Sequence, residues 1–280
     1  MRIVALSLAL ALLACRVEAA EPPVITAKAA LLFDATSGEV LLKKNENAQR
    51  PVASTQKLLT ALIIAEAGGL DQLVTVEQSD TLADPTKLYL KTGDQYTRQE
   101  LLSALLVKSA NDVACALARD NAGSVEAFAR KMNARIAELR GTNSHFINPN
   151  GLPVEGQYST ARDMAIVARA VYANPVLRDI ISQKFITFRY ASGKTVTLRN
   201  TNRLLQEYSF CNGMKTGYTI AAGHCLITSA SWGGRQVIAV VLGDTKLRVR
   251  KESVDLLAYG LGISKDGVAS MRVSSGGSAN

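Results

Sequence analysis

Cysteine, histidine, tryptophan and aromatic residues are all scarce in this 280-residue chain, which has 4 Cys, 2 His, 1 Trp and 5% Phe, Trp and Tyr together. The two histidines, His145 and His224, lie far apart and no CxxC or HxxxH spacing occurs, so no metal site is expected. A Ser-His-Asp triad would have to draw on one of those two, and neither sits in a nucleophile-type context. With few aromatics and no basic run, the chain lacks the features that hold nucleic acid. Proline is also sparse, at 7, while 48% of residues are hydrophobic and 20% charged. Disordered and collagen-like chains are thereby excluded.

Long apolar runs are absent but for one, Ile3 to Ala14. It follows Met1-Arg2 and precedes the small-residue exit Val17-Glu18-Ala19-Ala20, the layout of a secretory signal. Twelve residues are too few to span a ~30 Å bilayer core. Residues 1–20 are therefore expected to be a signal peptide, with the mature chain beginning near Glu21 in the periplasm or an equivalent extracytoplasmic space. Leu12-Leu13-Ala14-Cys15 also reads as a lipoprotein cleavage box, which leaves a lipid on Cys15 open. No other membrane anchor is expected. Export removes Arg2, Arg16 and Glu18, leaving 30 basic and 23 acidic residues, a net charge of +7. Such a charge either draws the chain to anionic lipid or acidic wall polymer or serves solubility alone. Three cysteines then remain, an odd number that cannot form a full disulfide framework. A Cys211–Cys225 bridge is conceivable, although on adjacent strands Cys211 would face a residue nearer Ser229.

Residues 28–34 and 39–43 read as a hairpin around Thr36-Ser37-Gly38. Helical periodicity follows at 58–67, ended by Gly68-Gly69, and at 101–107 after the capping box Thr97 to Glu100. Further helices are expected at 111–120, 124–139 and 160–173. Strand patterning returns at 185–190, 194–199, 210–217, 224–230 and 235–242, before a last amphipathic helix at 247–260. The expected fold is α+β: one antiparallel sheet built from both chain ends, flanked by helices, with an inserted helical subdomain. Residues 21–262 are expected to form one domain, and the Ser- and Gly-rich 263–280 read as a flexible tail.

Three short patterns carry chemistry: Ser54-Thr55-Gln56-Lys57, Ser109-Ala110-Asn111 and Lys215-Thr216-Gly217. Chance alone supplies about one Ser-x-x-Lys and one Ser-x-Asn in such a chain, so context has to decide. Ser54 sits at the start of an apolar helix with Lys57 three residues on, one turn away on the same face, as a hydroxyl nucleophile and an amine base require. The helix start also favours developing negative charge. A capping serine beside a solvated lysine is the plainer alternative. Ser109-Ala110-Asn111 falls at a tight break between helices, whereas its copy at 278–280 lies in the tail. Lys215-Thr216-Gly217 ends an apolar strand, and its glycine permits close approach of a ligand. The copy Lys91-Thr92-Gly93 reads as a turn.

In this order and at gaps of 55 and 106 residues, the set resembles the penicillin-binding protein and serine β-lactamase superfamily. The chain is most similar to the low-molecular-weight D-alanyl-D-alanine carboxypeptidases. The likeness extends over about 28–262 and includes Phe146 to Leu152 (FINPNGL), Ser159 to Ala165 (STARDMA) and Gly213 to Thr219 (GMKTGYT). It implies that Ser54 attacks the penultimate D-Ala carbonyl, that Lys57 takes the hydroxyl proton, and that Ser109 relays it to the leaving amine. Asn111 would hold the substrate amide, Lys215 and Thr216 the terminal carboxylate, and the backbone at Gly217 and Tyr218 the edge of the site. The N–H groups of Ser54 and Tyr218 would form the oxyanion hole. The implied partners are peptidoglycan stem peptides, with β-lactam antibiotics as covalent inhibitors, and no cofactor. Many carboxypeptidases of this group have a second, β-rich domain and a terminal amphipathic helix, for which 263–280 is too short and polar. A carboxylate-binding arginine could be Arg248 or Arg250. No Glu-x-x-Leu-Asn segment lies between Asn150 and Ser159, which disfavours a class A β-lactamase. A D,D-endopeptidase acting on cross-links and a non-catalytic penicillin-binding wall module are the other readings.

Overall fold

A computed structural model describes residues 21–273. Strands β1 (Ala29–Asp34) and β2 (Val40–Lys44) form the expected N-terminal hairpin. A 3-10 turn, Ala53–Gln56, leads into α1 (Lys57–Ala67), and β3 (Leu73–Thr75) pairs with β4 (Gln95–Thr97) beside it. The helical region continues with α2 (Arg98–Val107), α3 (Asn111–Ala122), α4 (Val125–Glu138), α5 (Ala161–Ala173) and α6 (Pro175–Ser182). Then come β5 (Phe185–Arg189), β6 (Thr195–Arg199), the single turn α7 (Leu204–Glu207), β7 (Cys211–Thr219), β8 (Gly223–Trp232), β9 (Arg235–Asp244), α8 (Lys246–Leu261) and α9 (Lys265–Ser270).

Both chain ends meet in one antiparallel sheet of order β2-β1-β9-β8-β7. Its strands alternate between two cores as the pleat requires. Leu31, Phe33, Ile227, Ile238 and Val240 pack with the helical region, whereas Leu32, Leu226, Val237, Ala239 and Val241 pack under α8. The buried Glu252 of α8 accepts hydrogen bonds from the backbone N–H groups of Thr26 and Ala27 at 2.7 and 3.1 Å, which fastens the segment before β1 to α8. β7 lies at the sheet edge, so one side of it is free to face the helices and a ligand.

Local signals position the helices. The Thr97 hydroxyl accepts from the Glu100 N–H while Glu100 reaches back to the Thr97 N–H, so the expected capping box opens α2. The Ser124 and Thr160 hydroxyls cap α4 and α5 by accepting from the Ala127 and Asp163 N–H groups.

Three expectations need correction. β5 and β6 pair only with each other and stay outside the main sheet, because their outward alternation buries just one face against α2. The helix α6 was not foreseen, although Asn174 caps it and Pro175 occupies its first position. Beyond Gly262 the chain is not a featureless tail: Ser264 caps α9, and Ile263, Val268 and Met271 pack against the α8 core. Residues 274–280, with the second Ser-Ala-Asn, lie outside the described residues, as do residues 1–20 with the expected signal peptide and Cys15. Cys115, Cys211 and Cys225 are free and buried, in keeping with a register that sets Cys211 away from Cys225. Cys211 pairs with Ala230 and Cys225 with Gly217, which separates the two positions by five residues along β8, roughly 17 Å at ~3.3 Å per residue. They also face opposite cores.

Candidate active site

The 3-10 turn at Ala53–Gln56 explains how Ser54 and Lys57 meet. Side chains three apart eclipse in 3-10 geometry, and here Lys57 Nζ lies 2.9 Å from Ser54 Oγ. Ser54 caps nothing, and Lys57 is completely buried, so the alternative of a capping serine and a solvated lysine is discarded. Lys57 Nζ also donates to Asn111 Oδ1 at 2.7 Å and to the Asn150 carbonyl at 2.5 Å. Burial, reinforced by the nearby positive charge of Lys215, pushes its pKa far below the usual lysine range. In the neutral amine two N–H groups can serve Asn111 and Asn150, leaving the lone pair to accept the Ser54 hydroxyl proton.

The turn is held from both sides. Ala53 has φ +50 and Ser109 φ +69, left-handed conformations that non-glycine residues hold only where the surroundings enforce them. Gly151, at φ +83, lies so close that a Cβ there would stand 2.2 Å from the Ala53 carbonyl oxygen and 2.9 Å from the Ser54 nitrogen. A Cβ on Gly217 would lie 3.0 Å from both the Ser54 and Thr55 nitrogens. Thus β7 runs directly beside the nucleophile. Gln56 Nε2 donates to the Asn148 carbonyl at 2.6 Å and Thr60 Oγ1 to the Pro149 carbonyl at 2.7 Å, so the segment 148–151 is clamped to α1.

Lys215 is fully buried on β7, and burial pushes it down to about 7. Its Nζ donates to the Thr216 carbonyl at 2.9 Å. Thr216 Oγ1 bonds Thr201 Oγ1 at 2.8 Å. Tyr218 is 58% exposed, its ring stacked on His224 at 4.3 Å, so only its backbone can serve the site. Ser109 stands at the expected break between α2 and α3 but makes no side-chain hydrogen bond to Ser54 or Lys57 among the described residues. Asn111 stands in the same cluster, where its side-chain Oδ1 accepts from Lys57 Nζ and so also positions the base. The second Lys-Thr-Gly, at 91–93, is indeed a turn, closed by the Asp94 N–H on the Lys91 carbonyl.

Two contributors escaped the sequence reading. The Asn150 carbonyl completes the lysine's surroundings, and the only signal for it is the turn sequence Asn148-Pro149-Asn150-Gly151, whose glycine demands the left-handed region. Thr201 supports Thr216 from a loop with no pattern of its own. The two arginines have different surroundings. Arg250 is paired with Glu207, at the far end of β7. Arg248 is exposed and lies in the electrostatic reach of Asp244, which pairs with His224 opposite Tyr218.

Residues 16–246 match the sequence pattern of the D-alanyl-D-alanine carboxypeptidase family. The D-alanyl-D-alanine carboxypeptidase DacF of Bacillus subtilis is 36% identical over 234 residues, covering 81% of this chain and 60% of that protein. DacB2 of Mycobacterium tuberculosis is 37% identical over 219 residues, covering 77% of this chain and 75% of that one. Among solved structures, a D-alanyl-D-alanine carboxypeptidase from Mycobacterium tuberculosis superposes with a TM-score of 0.83 at 32% identity, covering 89% of this chain and 96% of that chain. The Streptomyces K15 DD-transpeptidase gives 0.81 at 29% identity, covering 86% and 99%. The chain spans only 60% and 64% of the length of DacF and of the Salmonella typhimurium DacD that it also matches.

Proposed function

The chain belongs to the D-alanyl-D-alanine carboxypeptidase family, and from that premise we propose that it is a serine carboxypeptidase that removes the terminal D-Ala of peptidoglycan stem peptides. The observation that carries this reading is the fully buried Lys57 amine 2.9 Å from Ser54 Oγ. A buried lysine beside a hydroxyl, with its charge suppressed and its two remaining N–H groups already engaged, is built to accept one proton.

Ser54 Oγ attacks the penultimate D-Ala carbonyl carbon as Lys57 takes its proton. Developing negative charge on the carbonyl oxygen falls between the Ala53–Ser54 turn and the Gly217–Tyr218 backbone, where N–H donors are worth most. Collapse breaks the peptide bond, and the leaving amine receives the proton directly from Lys57 or through Ser109. Water then releases the acyl-enzyme by the same base. Lys215 and Thr216 receive the terminal carboxylate, and Arg248, rather than the Glu207-bound Arg250, adds its charge from the β9–α8 junction. The bound anion favours the charged form of Lys215. Penicillins, which carry a carboxylate beside a strained amide, acylate Ser54 by the same route. The site works outside the cytoplasmic membrane, as the apolar run at 3–14 implies.

The test is release of D-Ala from a diacyl-L-Lys-D-Ala-D-Ala peptide by the purified protein, lost in Ser54→Ala. Absence of release by the unaltered chain overturns the reading, and release confined to cross-linked dimers replaces it with the endopeptidase.

A further inference from the structure

Next to the nucleophile lies a cavity of about 280 Å3, lined by the loop Gly151–Gln157, by Thr219 and Ala221 just past Tyr218, and by Ala53, the neighbour of Ser54. That is near the small end of ligand pockets, ~300–1,000 Å3, a size that suits one side chain. Resting on the carboxypeptidase reading, we propose that this cavity binds the residue immediately upstream of D-Ala-D-Ala, and that Glu155 makes it select a side chain with a free ammonium group.

The position follows from the polarity of β7. A peptide laid along the free edge of this strand advances ~3.3 Å per residue. With its terminal carboxylate at Lys215 and Thr216 and its scissile carbonyl beside Gly217 and Tyr218, the next residue upstream reaches Thr219, where the cavity begins. The chemistry follows from the lining. Glu155 is its only ionisable residue, is exposed, and has no ion pair or hydrogen-bond partner among the described residues. In a chain of net positive charge, a lone carboxylate at the mouth of a substrate-sized cavity favours a cation. The remainder of the lining is Pro, Val, Leu, Ala and other uncharged residues, which suit the aliphatic stem of a lysine-like side chain.

The wall is also rigid, as a specificity element must be. Gln157 Oε1 accepts the Ile147 and Asn148 N–H groups at 2.9 and 3.0 Å, and its Nε2 donates to the Leu152 carbonyl at 2.9 Å. Asn148 is in turn bound to Gln56. The loop bearing Glu155 is therefore tied to the turn that bears Ser54.

The experiment measures kcat/KM for D-Ala release from Nα-acetyl-X-D-Ala-D-Ala, with X as L-Lys, Nε-acetyl-L-Lys or L-norleucine. An exposed ion pair supports a preference for L-Lys over its Nε-acetyl form of about three- to fivefold at low salt. In ~1 M salt, where the screening length is ~3 Å, the preference falls below about twofold. Glu155→Gln abolishes it while its rate of acylation by benzylpenicillin, which carries no ammonium, stays within about twofold. Equal rates on the three peptides, or a preference that survives Glu155→Gln, overturn the proposal. If no peptide releases D-Ala and penicillin does not acylate the protein, the carboxypeptidase reading itself falls.

Discussion

Lys215 should weaken the fold that holds it, and replacing it with methionine should stabilise the protein while destroying the site. Methionine has nearly the same length and no charge. The lysine is fully buried and its pKa is pushed down from 10.5 to about 7 by loss of hydration. Between pH 10.5 and 7 the unfolded chain is protonated at this position and the native chain is not, so native stability is lost as pH falls through that window, and below about 7 the full penalty is present. At 1.36 kcal/mol per pH unit the gap corresponds to about 5 kcal/mol. The variant leaves the Thr216 carbonyl without its donor, which costs about 1–3 kcal/mol. The net expectation is a gain of about 2–4 kcal/mol at pH 7, or roughly 4–16 °C in Tm for a domain of this size. Thermal unfolding of the unaltered protein and Lys215→Met, from pH 6 to 10, measures it, since groups that do not feel the Lys215 charge cancel in the difference. The stability difference should be largest at pH 7 or below and shrink toward pH 10. A destabilised variant, or a difference constant across that range, would refute the reasoning.

Other consequences are equally direct. Gly151→Ala places a Cβ 2.2 Å from the Ala53 carbonyl oxygen in a left-handed backbone, so acylation by a labelled penicillin should fall at least ~10-fold and stability by about 2 kcal/mol or more; unchanged values in both assays would show that the contact relaxes freely. Lys215→Ala should abolish acylation while Lys91→Ala, in an exposed turn, leaves it within about threefold; equal losses in gel-detected labelling would reverse the choice between the copies. Thiol counting after denaturation without reductant should find Cys115, Cys211 and Cys225 all free, and a mass deficit of two protons would reveal a bridge.

The hairpin at each chain end, the capping box before α2 and the helix starting at Ser124 were legible because short-range signals decide them. Membership of the sheet was not: the alternation in 185–199 is as regular as that of β7 or β8, but only tertiary pairing tells a separate hairpin from a sheet strand. Ser54 and Lys57 were legible because three-residue spacing is a local geometric fact. That Lys57 is dehydrated was not, since its burial depends on Asn111 and on the Asn150 carbonyl, which come 54 and 93 residues later. The carbonyl is a backbone group and leaves no residue-type signature. The segment after Gly262 misled because small polar residues dominate it, although Ile263, Val268 and Met271 suffice to seat it on α8.

The central claim is that Lys57 activates Ser54 for covalent chemistry, and peptide mapping by mass spectrometry after brief exposure to benzylpenicillin tests it most directly. One penicilloyl group should be found, on the peptide containing Ser54, and it should be absent from Ser54→Ala and from Lys57→Met. An adduct on another residue, or an undiminished adduct rate in Lys57→Met, would contradict the account.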